Sequence, residues 1–476
     1  MPLFKIEASV AQADKKCFPF DRAGRLTLLI TFLSLLSGIV FYSHLSWEQT
    51  VAVMLSVFCI GMWATSAVPE YLPAFVFFVI AIIFHAAPPD IVMGAFVSST
   101  IWLLFGGMIV GSAIRYTGLG KRVAILLSAC IGTTYTSVIT TTVMFSMALS
   151  FFIPSSMGRI VLLVPIVISL AEHAGYSKTS NGMLGMLMAA AFGTNIPAYT
   201  ILPANLPNMI LAGAAENIYG IKIGYWNYLL LHFPVLGFIK ACVLIALIIK
   251  LFAESTPPQI YEERTKSASM SVQEKWLTLI IVLSLLLWFT DGFHQVSPGW
   301  IALAGGVLCL WPGSGLVSPK CLNEEINYGT LFFVAGIMGL GALIAHSGLG
   351  TIVVATLSNF AGFEQGESLG NIVSMTIMAM IVATITNLPG IPAVMTPGAE
   401  QLSILSGLPI ETVLMTQVLA FSSVVLPYQA PPLIAAAQIA GLPLRSVIKL
   451  CFILFMATII FILPLDLLWW KLMGMF

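Results

Sequence analysis

Charge is what this sequence has least of. Only 8% of its 476 residues are Asp, Glu, Lys or Arg, against 59% hydrophobic. That polar surface is too small to coat a soluble globule, and it leaves no room for a sizeable extramembrane domain. The 20 basic residues are balanced by 20 acidic ones, so the basic face that a nucleic-acid partner requires is missing, and no nucleic acid is expected. Catalytic signatures are absent as well: no His-Glu-x-x-His, no Gly-x-x-x-x-Gly-Lys, and no pair of aspartates within one apolar run. The seven cysteines (Cys17, Cys59, Cys130, Cys242, Cys309, Cys321, Cys451) are scattered without metal-ligand or pairing spacing, and they read as small packing residues. The first apolar run, 26–42, has no obvious small-residue cleavage site and reads as a span.

What the chain does have is apolar length. At about 20 residues per spanning helix, 476 residues predict an all-α polytopic membrane protein of about eleven spans. The runs are 26–42, 51–65, 72–87, 95–114, 183–214, 228–251, 276–289, 300–311, 330–344, 413–441 and 447–469. Two more apolar regions, 138–170 and 372–405, are interrupted at mid-length by Pro, Gly and hydroxyl or amide residues, and both read as re-entrant hairpins. With the N-terminus in the cytoplasm, Arg115, Lys121, Arg122, Lys178, Lys250, Arg264, Lys266, Lys275, Lys320, Arg445 and Lys449 join Lys5, Lys15, Lys16, Arg22 and Arg25 on that side. Lys222 and Lys471 fall outside, the segregation expected of an inner-membrane protein.

An internal repeat gives the same picture. Residues 95–125 lie on 325–355 without a gap, matching Thr100 with Thr330, Gly106 with Gly336, Met108 with Met338, Gly111 with Gly341 and Gly118-Leu119-Gly120 with Gly348-Leu349-Gly350. The copies are five spans apart, and an odd number inverts one relative to the other. The expected organisation is therefore an N-terminal segment and first span (1–45), a first repeat (46–252), a cytoplasmic linker (253–275) and an inverted second repeat (276–476), as in secondary transporters.

Four helix breaks occupy matching places in the two halves: Pro154-Ser155-Ser156-Met157-Gly158, Pro203-Ala204-Asn205-Leu206-Pro207, Thr386-Asn387-Leu388-Pro389-Gly390 and Pro427-Tyr428-Gln429-Ala430-Pro431-Pro432. Breaks at membrane depth persist only where protein or a wet cavity satisfies the backbone. Each restarts a helix whose N-terminus carries about half a positive charge, so four aimed at one cavity would attract an anion. Ser155, Ser156, Thr386 and Asn387 suit a helix cap, a substrate carboxylate or a cation equally. Arg159, beside the first break, suits either a counter-charge for a multivalent anion or a structural partner of carbonyls. Glu400 is a weaker candidate for a proton-coupled carboxylate. Lys240 is expected to snorkel, and His173, His232 and His346 to sit at the interfaces.

At these tips the sequence resembles the divalent anion:sodium symporter (DASS) family. Pro154-Ser155-Ser156-Met157-Gly158-Arg159 is similar to the Pro-Ser-Asn-Thr-Ala-Arg of its citrate/succinate and oxoglutarate/malate exchanger branch, and Val164-Pro165-Ile166 to its Leu-Pro-Ile. Thr386-Asn387-Leu388 stands where the second Ser-Asn-Thr would be, and Leu426-Pro427-Tyr428-Gln429-Ala430-Pro431-Pro432 resembles Leu-Pro-x-x-Thr-Pro-Pro. The resemblance implies a homodimeric elevator-type carrier of di- or tricarboxylates. It further implies substrate binding by Ser155, Ser156, Arg159, Thr386, Asn387, Ala430 and Pro431, and cation binding by Ser155, Ser156, Asn205 and Asn387. No cofactor is implied other than a coupling sodium ion. Met157, Ser156, Leu388 and Ala430 depart from the motif, and the lost oxygens weaken a sodium site, leaving sodium coupling, proton coupling and anion exchange all open. Related architectures serve sodium/proton exchange or transport of inorganic anions such as sulfate and arsenite. A membrane-embedded enzyme or sensor would need a reactive cluster that the sequence lacks.

Overall fold

The computed structural model describes residues 22–120, 122, 134–177, 179–254, 269–352 and 362–476. Cys17, Cys130, Lys5, Lys15, Lys16, Lys121, Lys178, Arg264, Lys266 and the side chain of His173 lie outside the described residues. Within them every regular element is helical. The first helix, α1 (Arg22–Phe41), precedes two series of like elements. The first series is α2 (Trp47–Thr65), α3 (Tyr71–Ile83), α4 (Ser99–Tyr116), the arms α5 (Tyr135–Phe152) and α6 (Ser156–His173), the half-helices α7 (Asn181–Asn195) and α8 (Leu206–Tyr219), and α9 (Tyr225–Leu251). The second is α10 (Val272–Phe289), α11 (Pro298–Leu310), α12 (Tyr328–His346), the arms α13 (Ser368–Ile385) and α14 (Gly390–Ser406), the half-helices α15 (Ile410–Phe421) and α16 (Pro431–Ala440), and α17 (Leu444–Leu472).

The two series correspond member by member. Helices α3 and α11 are both 13 residues long. Helices α9 and α17 are the two longest and each loosens into a π-helical segment, Phe233–Ile239 and Thr458–Ile462, beside Pro234 and Pro464, whose missing N–H disrupts the α-helical ladder. Among the described residues nine helices are long and apolar enough to cross a membrane. Two of these, α5 and α13, are hairpin arms. The other seven, the short α3 and α11 and the discontinuous pairs α7/α8 and α15/α16 fall on the eleven expected runs. The hairpins extend slightly beyond their expected bounds, to 135–173 and 368–406, and α14 meets α15 at a bend of 119°, where Gly407 takes φ +71 at no steric cost.

Boundaries moved where proline and glycine act. The expected spans 183–214 and 413–441 are each two half-helices, and the expected span 276–289 starts earlier, because Ser271 caps α10 through Glu274 N at 3.1 Å and Glu274 returns a bond to Ser271 N, a capping box.

Packing follows the repeat. Helix α4 packs on α11 and α12 on α3, so each series supplies the partner of the other. The matched glycines make both contacts possible: a Cβ on Gly106 would stand 2.4 Å from the Ala302 carbonyl carbon, and one on Gly336 2.3 Å from the Ala74 Cβ. The same exchange joins the hairpins to the half-helices, with α6 on α16 and α14 on α8. Each pair of hairpin arms also flanks the first half-helix of its own series, α7 or α15.

Candidate functional site

All four breaks line one cavity of about 590 Å³. Proline sets the local geometry. The residue before a proline is pushed out of the α region, and Ile153 (φ −115, ψ 101), Leu426 (φ −128, ψ 142) and Ala430 (φ −117, ψ 89) are extended before Pro154, Pro427 and Pro431.

Side chains cap three of the four restarted helices. Ser155 Oγ accepts from Gly158 N at 3.1 Å, Asn205 Oδ1 from Leu206 N at 3.0 Å, and Asn387 Oδ1 from Gly390 N at 3.1 Å. At the fourth, Ala430 has nothing to cap with, but Pro431 and Pro432 have no N–H to satisfy. Oxygens at the first three ends therefore each hold one helix N–H. Asn205 lines the cavity, with its side chain set against the buried Tyr199. A cavity with four positive helix ends is chemically suited to a carboxylate. A hard cation finds less, because Met157, Leu388 and Ala430 offer no side-chain oxygen.

The tips are tied to the neighbouring breaks by matching bonds in the two series. Ser156 Oγ donates to Ala204 O at 3.3 Å, and Leu388 N donates to Gln429 O at 3.0 Å. Gln429 Oε1 in turn accepts from Val425 N and Leu426 N at 2.8 and 2.9 Å, holding that loop in shape.

The structure brings Ser155, Ser156, Asn205, Asn387, Ala430 and Pro431 together on the cavity wall. It places Arg159 and Thr386 behind that wall. Arg159 is fully buried, its Nη atoms bonding Ile153 O, Ser156 Oγ at 3.0 Å, Thr194 O at 3.0 Å and Ala204 O at 3.1 Å. Thr386 Oγ1 donates to Val382 O at 2.8 Å, the i−4 carbonyl of its own helix. Glu400 is exposed, as is His346. One expectation needs correcting: Lys240 does not snorkel, since it is fully buried, and His232 is buried on the same helix. Their helix α9 packs against α17, which leaves the lysine stem no path to water.

Sequence reasoning missed the far end of the cavity, lined by Glu70, Arg115, Glu325, Asn327 and Thr330. There Arg115 lies 3.8 Å from Glu325, whose carboxylate also accepts from the Ser112 hydroxyl. Glu325 opens the second copy of the repeat, and Arg115 lies within the first. Asp466, fully buried in α17, was missed too. It is the sole acid in the run 447–469, and that was its signal. Among the described residues no group of three or more His, Cys, Asp or Glu is placed to hold a metal ion.

Comparison with known proteins bears on this arrangement. A family model described as "Sodium:sulfate symporter transmembrane region" matches residues 24–476. A membrane protein of Cupriavidus necator is 25% identical over 63% of this chain, and the match spans 63% of that relative's length. An uncharacterized transporter of Haemophilus influenzae is 24% identical over 68% of this chain and 69% of its own. The sodium-dependent dicarboxylate transporter SdcS of Staphylococcus aureus is 21% identical over 71% of this chain and 70% of its own. A solved structure of the Alcanivorax borkumensis YdaH transporter aligns with 79% of this chain and 84% of its own at 15% identity and a TM-score of 0.49.

Proposed function

This chain belongs to the sodium:sulfate symporter family, and from that premise we propose that it carries small divalent organic anions, di- or tricarboxylates, across the inner membrane. The observation that carries the reading is the convergence of four helix breaks on one cavity. Four N-terminal poles of about half a charge each sum to roughly two positive charges, a match for a dianion. A cavity of about 590 Å³ lies within the range of roughly 300–1,000 Å³ typical of organic ligands, and is larger than a tetrahedral inorganic anion needs. Its walls alternate the donors of Ser155, Asn205 and Asn387 with the apolar Leu104, Met108 and Val161, which suits carboxylates joined by methylene groups. The dicarboxylate activity in the name of the staphylococcal relative points to the same substrate class.

The carrier moves as an elevator in this reading. Helices α4 and α12 form the face over which the hairpins and half-helices slide, and glycine keeps its relief low: Gly107 lies against Pro154, Gly341 and Gly350 against Pro397. The N-terminus is cytoplasmic on the distribution of basic residues, so the cavity end at Arg115 and Glu325 faces the cytoplasm, and two copies associate through their scaffold helices. Sodium symport, proton coupling and anion exchange are all modes this site can serve.

The test is uptake of labelled succinate, malate and citrate into proteoliposomes, with and without sodium and with internal counter-substrate. Saturable uptake of at least one is expected. Absence of uptake for every divalent anion in every condition would overturn the proposal.

A further inference from the structure

The first half-helix of each series ends inside the protein, and its last carbonyls form a negative pole. In both series a buried basic side chain meets that pole. At the end of α7, Arg159 Nη2 donates to Thr194 O at 3.0 Å. At the end of α15, Lys240 Nζ donates to the carbonyl of Ser422, the residue that closes the helix. Arg159 arises beside its own pole, in the hairpin of the same series. Lys240 comes from α9 of the first series and reaches across to the half-helix of the second. Its side chain is 1% exposed, and a charged group so placed is retained only where it is compensated.

The surroundings of Lys240 supply that compensation and nothing else of positive sign. Asp466 in α17 is fully buried, with Trp470 beside it and Lys240 within electrostatic range. It stands as a counter-charge beyond direct bonding range of Lys240. The residues closest about the pole are Phe192 and Ile196 of the first discontinuous span, Val424, Cys451 and Thr458, which carry no charge. His232, on the same helix as Lys240, turns its Nε2 to Met415 Sδ at 3.4 Å. The Ser422 hydroxyl is itself buried without a partner, so the pole presents a free oxygen beside the ammonium.

We propose that Lys240 is a tethered cation, its ammonium occupying the position at the C-terminal pole of Ile410–Phe421 that a soluble cation would otherwise fill. Transport then needs no cation at that pole. This deepens the reading above and rests on it for the uptake assay, while the location of the cation stands apart from which anion is moved.

The test compares wild type with Lys240→Met, Lys240→Gln and Lys240→Arg as purified full-length protein. Melting temperature is followed as sodium chloride replaces choline chloride at constant ionic strength, and succinate uptake is followed in the same two salts. Wild type and Lys240→Arg are expected to melt alike in both salts. Lys240→Met and Lys240→Gln are expected to melt several degrees lower in choline and to recover in sodium, with uptake at least tenfold faster in sodium. The glutamine keeps a donor for Ser422 O, so it serves if the methionine variant does not fold. A wild type stabilised by sodium as strongly as the variants, or variants indifferent to the cation, overturns the proposal. If no form of the protein moves any divalent anion, the proposed substrate class fails, and the melting data still decide the role of Lys240.

Discussion

Replacing Arg159 by alanine separates two roles that a buried arginine beside a binding cavity can have. Its guanidinium serves Ile153 O, Thr194 O and Ala204 O, three carbonyls from three different segments: the end of α5, the end of α7 and the second break. Truncation takes the guanidinium from Ile153 O and Thr194 O, while Ala204 O keeps the Ser156 hydroxyl. Each orphaned group costs about 1–3 kcal/mol, so Arg159→Ala is expected to destabilise by roughly 2–6 kcal/mol. The upper part of that range is comparable with the lower end of the stability of an ordinary domain, about 5–15 kcal/mol. Arg159→Gln restores two N–H donors and is expected to recover part of the loss. The assay is thermal unfolding in detergent with and without succinate. A large fall in melting temperature, with the succinate-induced shift retained wherever the protein still folds, is the expected result. An unchanged melting temperature with the succinate shift abolished would refute the reasoning and make Arg159 a direct ligand of the anion.

Asn205→Ala removes a polar side chain from the cavity wall. A hydrogen bond to a charged group contributes about 1.5–3 kcal/mol, so succinate affinity measured by calorimetry is expected to fall roughly 10- to 150-fold, and further for Asn205→Asp, which adds a like charge. Gly106→Val and Gly336→Val each force side-chain atoms into the partner helix, against Ala302 and Ala74, and overpacking of this kind costs about 1–3 kcal/mol or more. Both are expected to lower the yield of monodisperse protein to a similar degree. Gly370→Ala, where nothing lies within 4 Å of the added Cβ, should leave it unchanged.

The membrane class, the helix breaks and the repeat were legible because each rests on a property of the chain itself. Apolar length has a fixed threshold in a bilayer, proline has no N–H wherever it stands, and glycines at a constant offset mark two copies of one packing contact. The glycine pair Gly106 and Gly336 shows how far this goes, since alignment of the sequence with itself found the residues that bring α4 onto α11 and α12 onto α3. What was not legible depends on rotamer and on distant neighbours. Whether Arg159 reaches into a cavity or folds back onto carbonyls is a matter of side-chain direction that spacing cannot fix. Lys240 was expected to snorkel because a lysine in a long apolar helix ordinarily has lipid around it. Here α17 and the half-helices enclose it, and that enclosure comes from segments far from it in the chain, Phe192 and Ile196 before it and Ser422 to Thr458 after it. Glu325 and Asp466 were overlooked for the same reason, because their partners lie in the other series.

The central claim is that four interrupted helices hold one anion between their positive ends. A density map of the protein in lipid nanodiscs with saturating succinate tests it most directly. The account predicts density for one elongated ligand within hydrogen-bonding distance of Ser155, Asn205 and Asn387, absent from a map recorded without succinate. Succinate density at any other place, or a map in which the four breaks stand apart and face the lipid, would contradict it.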